Sequence, residues 1–306
     1  MDGVGPWDLA IVLSKVFSYF GILTLAGGLF VILLARSLPS GSASSWSVIT
    51  RQRLLNVMLL GALAGVLATP LFFLLQVGLL SQRGVAGMFD GLMASIVASS
   101  SIGQGSGLRM AGFCVMGATL LLWRRGWLSM ATLPLWMILS WAAALLLFTL
   151  SFAVLGHVVN LSPVARIAVM LHVGMVGLWI GSLYPLHALV SREPAADIQR
   201  LFALFGRAAS VVLTVLGVAG VYLVWGFFSA SHGGFFCSDY GRLLLLKVLL
   251  VGCLLLLAAL NKFRLTPGLT VDGKQPLGRS IVGEMLLAGL ILGITATFTT
   301  VVGPGH

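Results

Sequence analysis

The sequence predicts an all-α integral membrane bundle of about eight helices, and three observations support this fold class. Of the 306 residues, 59% are hydrophobic and only 8% are charged, and the mean hydropathy is +1.08. Soluble domains carry about 25% charged residues, so this chain has too few charges to keep its surface in water. Its apolar residues form runs of the ~20 residues that a helix needs to cross a bilayer. Gly contributes 38 residues, and small residues allow helices to pack closely in lipid.

Eight hydrophobic segments are long enough to cross the membrane. They cover residues 9–35, 54–80, 106–123, 131–158, 165–190, 206–229, 242–261 and 281–302. Ahead of the third segment, residues 85–101 (VAGMFDGLMASIVASSS) are semi-apolar and predict an interfacial or re-entrant helix. Because the connecting segments are too short for a soluble domain, residues 1–306 are predicted to form one membrane domain.

The basic residues predict the orientation of the bundle. Twelve of them fall in alternate loops: Arg36, Arg51, Arg53, Arg124, Arg125, Arg192, Arg200, Arg207, Lys262, Arg264, Lys274 and Arg279. The opposite ends of the spans hold only Arg83, Arg109, Arg166 and Arg242. By the positive-inside rule the first group is cytoplasmic, and an even number of spans then places both termini in the periplasm. Because this topology accounts for the net charge of +10, membrane lipid is the predicted surroundings and no nucleic-acid partner is predicted.

Several kinds of chemistry find no support in the sequence. No GxxxxGK[ST] phosphate loop is present, so the chain holds no recognisable ATP-hydrolysing site. The three Cys contain no CxxC pair, which argues against a disulfide framework or a zinc site. We therefore predict that the protein is not an enzyme.

The stretch VMLHVGMVGLWIG, residues 169–181, carries the candidate functional site. At 100° per residue, His172, Met175 and Trp179 fall within about 60° of one another on a helix. The opposite face carries three glycines, Gly174, Gly177 and Gly181. The glycine face predicts a close helix neighbour, and the His/Met face is predicted to point at another interior surface, such as a cavity.

An imidazole and a thioether on one face of a span predict a site for a soft metal ion. Ionisable groups inside a membrane are costly and usually functional, and thioether ligands select Cu(I), whereas hard cations prefer oxygen. Taken singly, His172 is compatible with a hydrogen bond to a backbone carbonyl, and Met175 with packing. Together with His157, near the outer end of the fourth span, they predict a copper site. Six further candidates lie on the predicted outer side: His232, Cys237, Asp239, Met88, Met93 and Met110.

The depths of the two histidines leave two arrangements open. His157 lies a few residues from the end of its span, whereas His172 lies about seven residues inside the next span, a difference of ~10 Å at 1.5 Å per residue. The two side chains share one ion if the fifth span begins near Ile167. Otherwise they are successive stations on one path.

Three other polar residues in the spans have structural interpretations. Lys15 and Lys247 are predicted to extend their ammonium groups to the outer boundary. Glu284, near the inner end of the last span, is predicted to form a surface pair with Arg279.

Four motifs resemble the copper resistance protein D (CopD) family. They are LGHVVN at 155–160, LHVGMVGLWIGSLYPL at 171–186, DYGRLLLLKVLL at 239–250 and LAALNKFRLTP at 257–267. The strongest resemblance covers residues 149–267. It implies an eight-span protein of the bacterial inner membrane that handles copper between periplasm and cytoplasm. It also implies a small periplasmic copper-binding protein of the C type as a partner.

The family positions that match are two histidine motifs, a Trp-x-Gly motif and a polar element. They are Gly156–His157, Leu171–His172, Trp179 with Gly181, and Tyr240, Gly241, Arg242 and Lys247. The polar element is interpreted as structural positioning at the outer boundary.

The leading functional hypothesis is copper translocation across the membrane, in resistance or homeostasis. One alternative is a single-haem electron carrier similar to b-type cytochromes, which needs axial histidines on facing helices, with His157 and His172 as candidates. Another alternative is a docking platform for the periplasmic copper protein that does not itself transport copper.

Overall fold

The computed structural model describes residues 5–38, 46–129, 133–155, 162–230, 239–269 and 274–301, and almost all of these are helical. The helices are α1 Pro6–Arg36, α2 Val48–Ser81, α3 Gly84–Gly87, α4 Gly91–Ser99, α5 Ser101–Leu122, α6 Arg124–Ser129, α7 Leu135–Ala153, α8 Pro163–Gly181, α9 Leu183–Val190, α10 Ala195–Ala230, α11 Asp239–Leu260, a π-helix Asn261–Leu265 and α12 Lys274–Val301.

Eight of these helical segments are long and apolar enough to cross a membrane, which confirms the predicted polytopic bundle. The spans are α1, α2, α5, α7, α8 with α9, α10, α11 with the π-helix, and α12. The semi-apolar segment before the third span forms the short helices α3 and α4, which pack on α2 and α5. The placement of both termini in the periplasm stays a prediction.

The fifth span is interrupted between α8 and α9. Pro185 follows the break, and because proline has no backbone N–H it cannot donate the helical hydrogen bond to the carbonyl of Gly181. At the break, Ser182 donates its hydroxyl to the carbonyl of Leu178 at 2.5 Å and its backbone N–H to the carbonyl of Trp179 at 3.1 Å.

Gly177 and Gly181, on the glycine face of α8, lie against α1, which is the close helix neighbour that the sequence predicts, whereas Gly174 faces Thr149 of α7. A Cβ atom built on Gly181 would lie 2.0 Å from the carbonyl oxygen of Leu23, and one built on Gly27 would lie 1.9 Å from the carbonyl carbon of Gly181. Only glycine fits at this contact. A Cβ built on Gly177 would approach the Cβ of Ala26 to 3.2 Å, so the two helices remain close along the glycine face.

The last spans pack more loosely than the first. Helix α1 packs against most of the other spans, whereas α11 packs extensively only against α12 and the π-helix. Helices α10 and α11 make few direct contacts with each other. We call the region between them the cleft and define it by Ser210 and Leu255, which line a cavity, and by Gly220 and Lys247, which lie near His172. The residues of α8 that face α10 lie at this cleft.

Two cationic side chains, one partly buried and one buried, lie in the half of the bundle that the sequence predicts to be the outer one. Lys15 donates to the carbonyl of Thr299 at 3.0 Å and to the hydroxyl of Thr300 at 2.8 Å. Arg109, only 5% exposed, donates through Nε to the hydroxyl of Ser151 at 3.0 Å and lies 4.4 Å from the ring centroid of Phe152. Arg109 therefore belongs to the bundle interior rather than to an outer loop.

Candidate outer metal site and inner cavity

His172 lies on α8 where that helix faces α10. A Cβ built on Gly220 of α10 would lie 3.3 Å from Cε1 and 3.4 Å from Nδ1 of the imidazole. The ring therefore lies directly on the backbone of α10, and glycine at position 220 makes room for it. The backbone carbonyl of Leu216, one turn away on α10, also interacts with the ring.

One nitrogen of this imidazole has no hydrogen-bond partner. The Nδ1 atom of His172 is buried and makes no hydrogen bond within the described part of the chain. An unsatisfied polar group away from water costs on the order of 2–7 kcal/mol, so the atom is suited to accept a proton or to coordinate a metal ion. Lys247, across the cleft on α11, lies close enough for its charge to act on the ring.

The other members of the predicted face continue from His172 toward the membrane centre. Met175 is half-buried and packs against the main hydrophobic core. Trp179 is only 4% exposed and lines a cavity on the inner side of the bundle. Along this face the imidazole of His172 is followed by the thioether of Met175 and then by the indole of Trp179, which borders the inner cavity.

Several predicted site residues lie outside the described residues. They are His157, His232 and Cys237, together with the side chain of Asp239. Within the described residues, no group of three or more His, Cys, Asp and Glu side chains is close enough to hold a metal ion. His172 is therefore not part of such a group among the described residues.

The three methionines predicted on the outer side do not lie on α8 or on the helices that pack extensively against it: Met88 follows α3, Met93 lies on α4 and Met110 lies on α5. Helix α8 packs extensively against α1, α7, α9 and α10, and none of these carries Met88, Met93 or Met110. Met88 is packed in the small core cluster of Ile11 and Phe72. The backbone N–H of Met93 donates to Asp90 at 3.0 Å as the helix cap of α4. These methionines are not gathered around His172.

Sequence reasoning missed the inner cavity. It has a volume of about 230 Å³ and lies between α8–α9, α10, α11 with the π-helix, and α12. Its polar lining consists of Ser210, Asn261, Lys262, Thr266 and Glu284. The predicted surface pair of Glu284 with Arg279 is wrong, because Glu284 is 3% exposed and accepts a hydrogen bond from Nδ2 of Asn261 at 2.9 Å.

The π-helix places Asn261 in this cavity. The backbone N–H and the hydroxyl of Thr266 both donate to the carbonyl of Asn261, at 2.9 and 2.7 Å, which closes the wider turn. Such single π-turns occur frequently at functional sites. One sequence signal for the cavity was available, because Asn261 and Glu284 are polar residues inside two consecutive apolar segments.

Residues 199–298 match the family model described as copper resistance protein D. This region extends from near the start of α10 into α12 and covers about a third of the chain, and the match supports the resemblance that the sequence motifs indicate. Two of the four motifs, at 239–250 and 257–267, lie within it. No curated protein and no solved structure matches the chain. The family indicates a multi-pass membrane protein with a role in copper resistance.

Proposed function

We propose that this protein moves copper across the bacterial inner membrane, with His172 as the principal ligand on the periplasmic side. The observation that carries the proposal is the buried Nδ1 atom of His172, which has no hydrogen-bond partner among the described residues. A metal ion satisfies this nitrogen, and copper is the metal that the family indicates. Met175, one turn deeper, supplies a soft ligand, and His157 completes the site or precedes it on the path.

The surroundings of His172 favour Cu(I) over Cu(II) as the transported ion. Lys247 places a positive charge near the imidazole, and the Coulomb repulsion between this charge and a bound ion doubles from Cu(I) to Cu(II). A thioether ligand such as Met175 also prefers Cu(I).

The path from the outer site to the cytoplasm follows the cleft between α10 and α11. His172 contacts α10 at Gly220, and Trp179 lines the cavity that opens between the inner halves of the same two helices. Rotation of the indole of Trp179 is the motion that would connect the two regions.

Copper reaches the outer site from a small periplasmic copper-binding protein of the C type. The segment 229–241 (SASHGGFFCSDYG) connects α10 to α11 and contains His232, Cys237 and Asp239. We expect the triple replacement of these residues by Ala to slow copper transfer from the loaded partner while bound copper at His172 is retained. Unchanged transfer would make this segment a connector only.

The proposal is tested by the copper content of cells that express the protein. Expression of the wild type is expected to change cellular copper, and His172→Ala or His157→Ala should each remove most of that change at equal protein level. His187→Ala is the matched control, because His187 lies on α9 outside both polar regions. Loss of the effect in all three variants would point to general damage and would contradict a site at His172.

An absorbance spectrum distinguishes the copper protein from the haem alternative. Purified wild-type protein is expected to show no Soret band. A Soret band that disappears in His172→Ala would assign the imidazole to haem iron and would overturn the copper site.

A further inference from the structure

Glu284 is a buried carboxyl group with very little solvation by the protein. It is 3% exposed and accepts one hydrogen bond, from Nδ2 of Asn261 at 2.9 Å. No basic side chain forms an ion pair with it among the described residues. A carboxylate anion in the interior of a membrane protein is costly unless a partner neutralises it.

Glu193 shows how this protein solvates a buried carboxylate elsewhere. It is 5% exposed and accepts hydrogen bonds from the backbone N–H of Ser47 at 3.1 Å, from the hydroxyl of Ser47 at 3.0 Å and from the hydroxyl of Thr50 at 2.7 Å. Three donors stabilise the charged form of a carboxyl group. Among the described residues, Glu284 has a single hydrogen-bond donor, Nδ2 of Asn261.

Asn261, which donates to Glu284, has an acceptor atom without a donor among the described residues. The Oδ1 atom of Asn261 is buried and has no hydrogen-bond donor within the described residues. The hydroxyl of Thr266 is already committed to the backbone carbonyl of Asn261, and the ammonium of Lys262 donates to the hydroxyl of Ser210. The cavity thus holds an under-solvated carboxyl group beside an acceptor that lacks a donor. A proton on Glu284 removes both defects, because it neutralises the charge and provides an O–H donor.

The lining of the cavity disfavours a metal ion in this role. Its ligand atoms are oxygens, which do not suit Cu(I), and Lys262 adds a positive charge to the wall. Lys262 and Glu284 are the only charged side chains among the lining residues, and α8, α9, α10 and α11 contribute no titratable group to it. A proton needs neither a full coordination shell nor a soft ligand.

We infer that Glu284 and Asn261 form a proton-binding site in the inner cavity. The inference stands on the geometry of the cavity and does not depend on copper at His172. The site would bind a proton, which is an ion other than copper, and this binding can be linked to the conformation of the cleft.

Infrared spectroscopy of the purified wild-type protein in lipid at neutral pH tests the inference. We expect the carbonyl-stretch band of a protonated carboxylic acid. The band should be lost in Glu284→Gln, kept in Glu193→Gln and kept in His172→Ala. In Asn261→Leu the band should persist but shift to the frequency of a carbonyl with fewer hydrogen bonds.

Three results would overturn the proton site. One is a wild-type spectrum without the protonated-acid band, and another is a band that survives in Glu284→Gln. The third is stoichiometric binding of Cu(I) or Cu(II) that is lost in Glu284→Gln and retained in His172→Ala, which would make the cavity a metal site. If Glu284→Gln fails to fold, the shift in Asn261→Leu and a pH titration of the wild-type band decide the question, and an unshifted band would contradict the assignment. A failure of copper binding at His172 leaves every one of these results unchanged.

Discussion

The outer site and the inner cavity lie along the same cleft, but their side chains offer different kinds of ligand atom. Among the described residues, the buried atom of His172 without a hydrogen-bond partner is a nitrogen, and the thioether of Met175 lies one turn below it. In the inner cavity the corresponding atom is an amide oxygen of Asn261, beside the carboxyl group of Glu284. Trp179 lies between the two regions. The first donor set suits a soft metal ion, whereas the second suits a proton.

The packing explains why both polar regions occur on this side of the bundle. Where α1 meets α8, Gly27 and Gly181 bring the two backbones into contact, and no space remains for a polar group or an ion. Where α10 faces α11, the helices do not pack closely, so His172, Asn261 and Glu284 find room in the interior. Close backbone packing at glycines and sparse packing around polar side chains therefore occur on different faces of the same bundle.

The outer site and the inner cavity should lie on the predicted sides of the membrane. We expect an all-or-none result from reporters fused after His306, with periplasmic activity and no cytoplasmic activity. Cytoplasmic activity at this position would mean that a span is miscounted, with residues 85–123 as the first segment to re-examine.

Breaking the tight contact should remove both regions together. In Gly181→Val the new side chain would collide with the backbone of α1 near Leu23, and we expect little or no folded protein after extraction in detergent. Gly217→Val on α10 is the control, because a Cβ there meets nothing within 4 Å. Normal yield of monodisperse Gly181→Val protein would show that this contact is not required.

A smaller change should separate the outer site from the inner cavity. In Gly220→Val the added side chain displaces the imidazole of His172, since even a Cβ approaches the ring to 3.3 Å. We expect copper affinity to fall about tenfold, equivalent to ~1.4 kcal/mol, in a competition titration with a Cu(I) chelator. The protonated-acid band of Glu284 should remain. Unaltered copper affinity would place the bound ion away from the face that His172 turns to α10.

The smallest effect is expected at the thioether. Met175→Leu conserves the volume of the side chain, and such substitutions usually cost less than ~1.5 kcal/mol in stability. Copper affinity should fall by a few-fold, while the melting temperature in detergent changes little. A loss as large as that of His172→Ala would make Met175 the principal ligand instead.

The sequence predicted the spans and the tight helix face, but not the inner cavity. Hydropathy is a local property, and the eight apolar segments of the sequence correspond to eight helices long enough to cross a membrane. The spacing of Gly174, Gly177 and Gly181 predicted a close helix neighbour, but not that this neighbour is α1. The pair of Glu284 and Asn261 joins residues 23 positions apart on different helices, and no local pattern specifies which faces of two helices meet. Arg109 was counted with the outer residues because position along a span does not reveal the direction of its side chain.

The break within the fifth span shows the same limit on a smaller scale. Pro185 indicates that the helical hydrogen bond from position 185 is missing. Because apolar residues continue on both sides of it, the mean hydropathy predicts a single span. The candidate outer site lies on the first of these two helices, because α8 carries His172, Met175 and Trp179.

The central claim, that His172 is the principal copper ligand, is tested most directly by metal analysis of the purified protein. Wild-type protein, His172→Ala and the control His187→Ala are loaded with Cu(I) under reducing conditions, freed of excess metal and measured for copper per chain. We predict that the wild type and His187→Ala retain copper and that His172→Ala loses most of it. Equal copper in wild type and His172→Ala, with both proteins folded, would contradict the site.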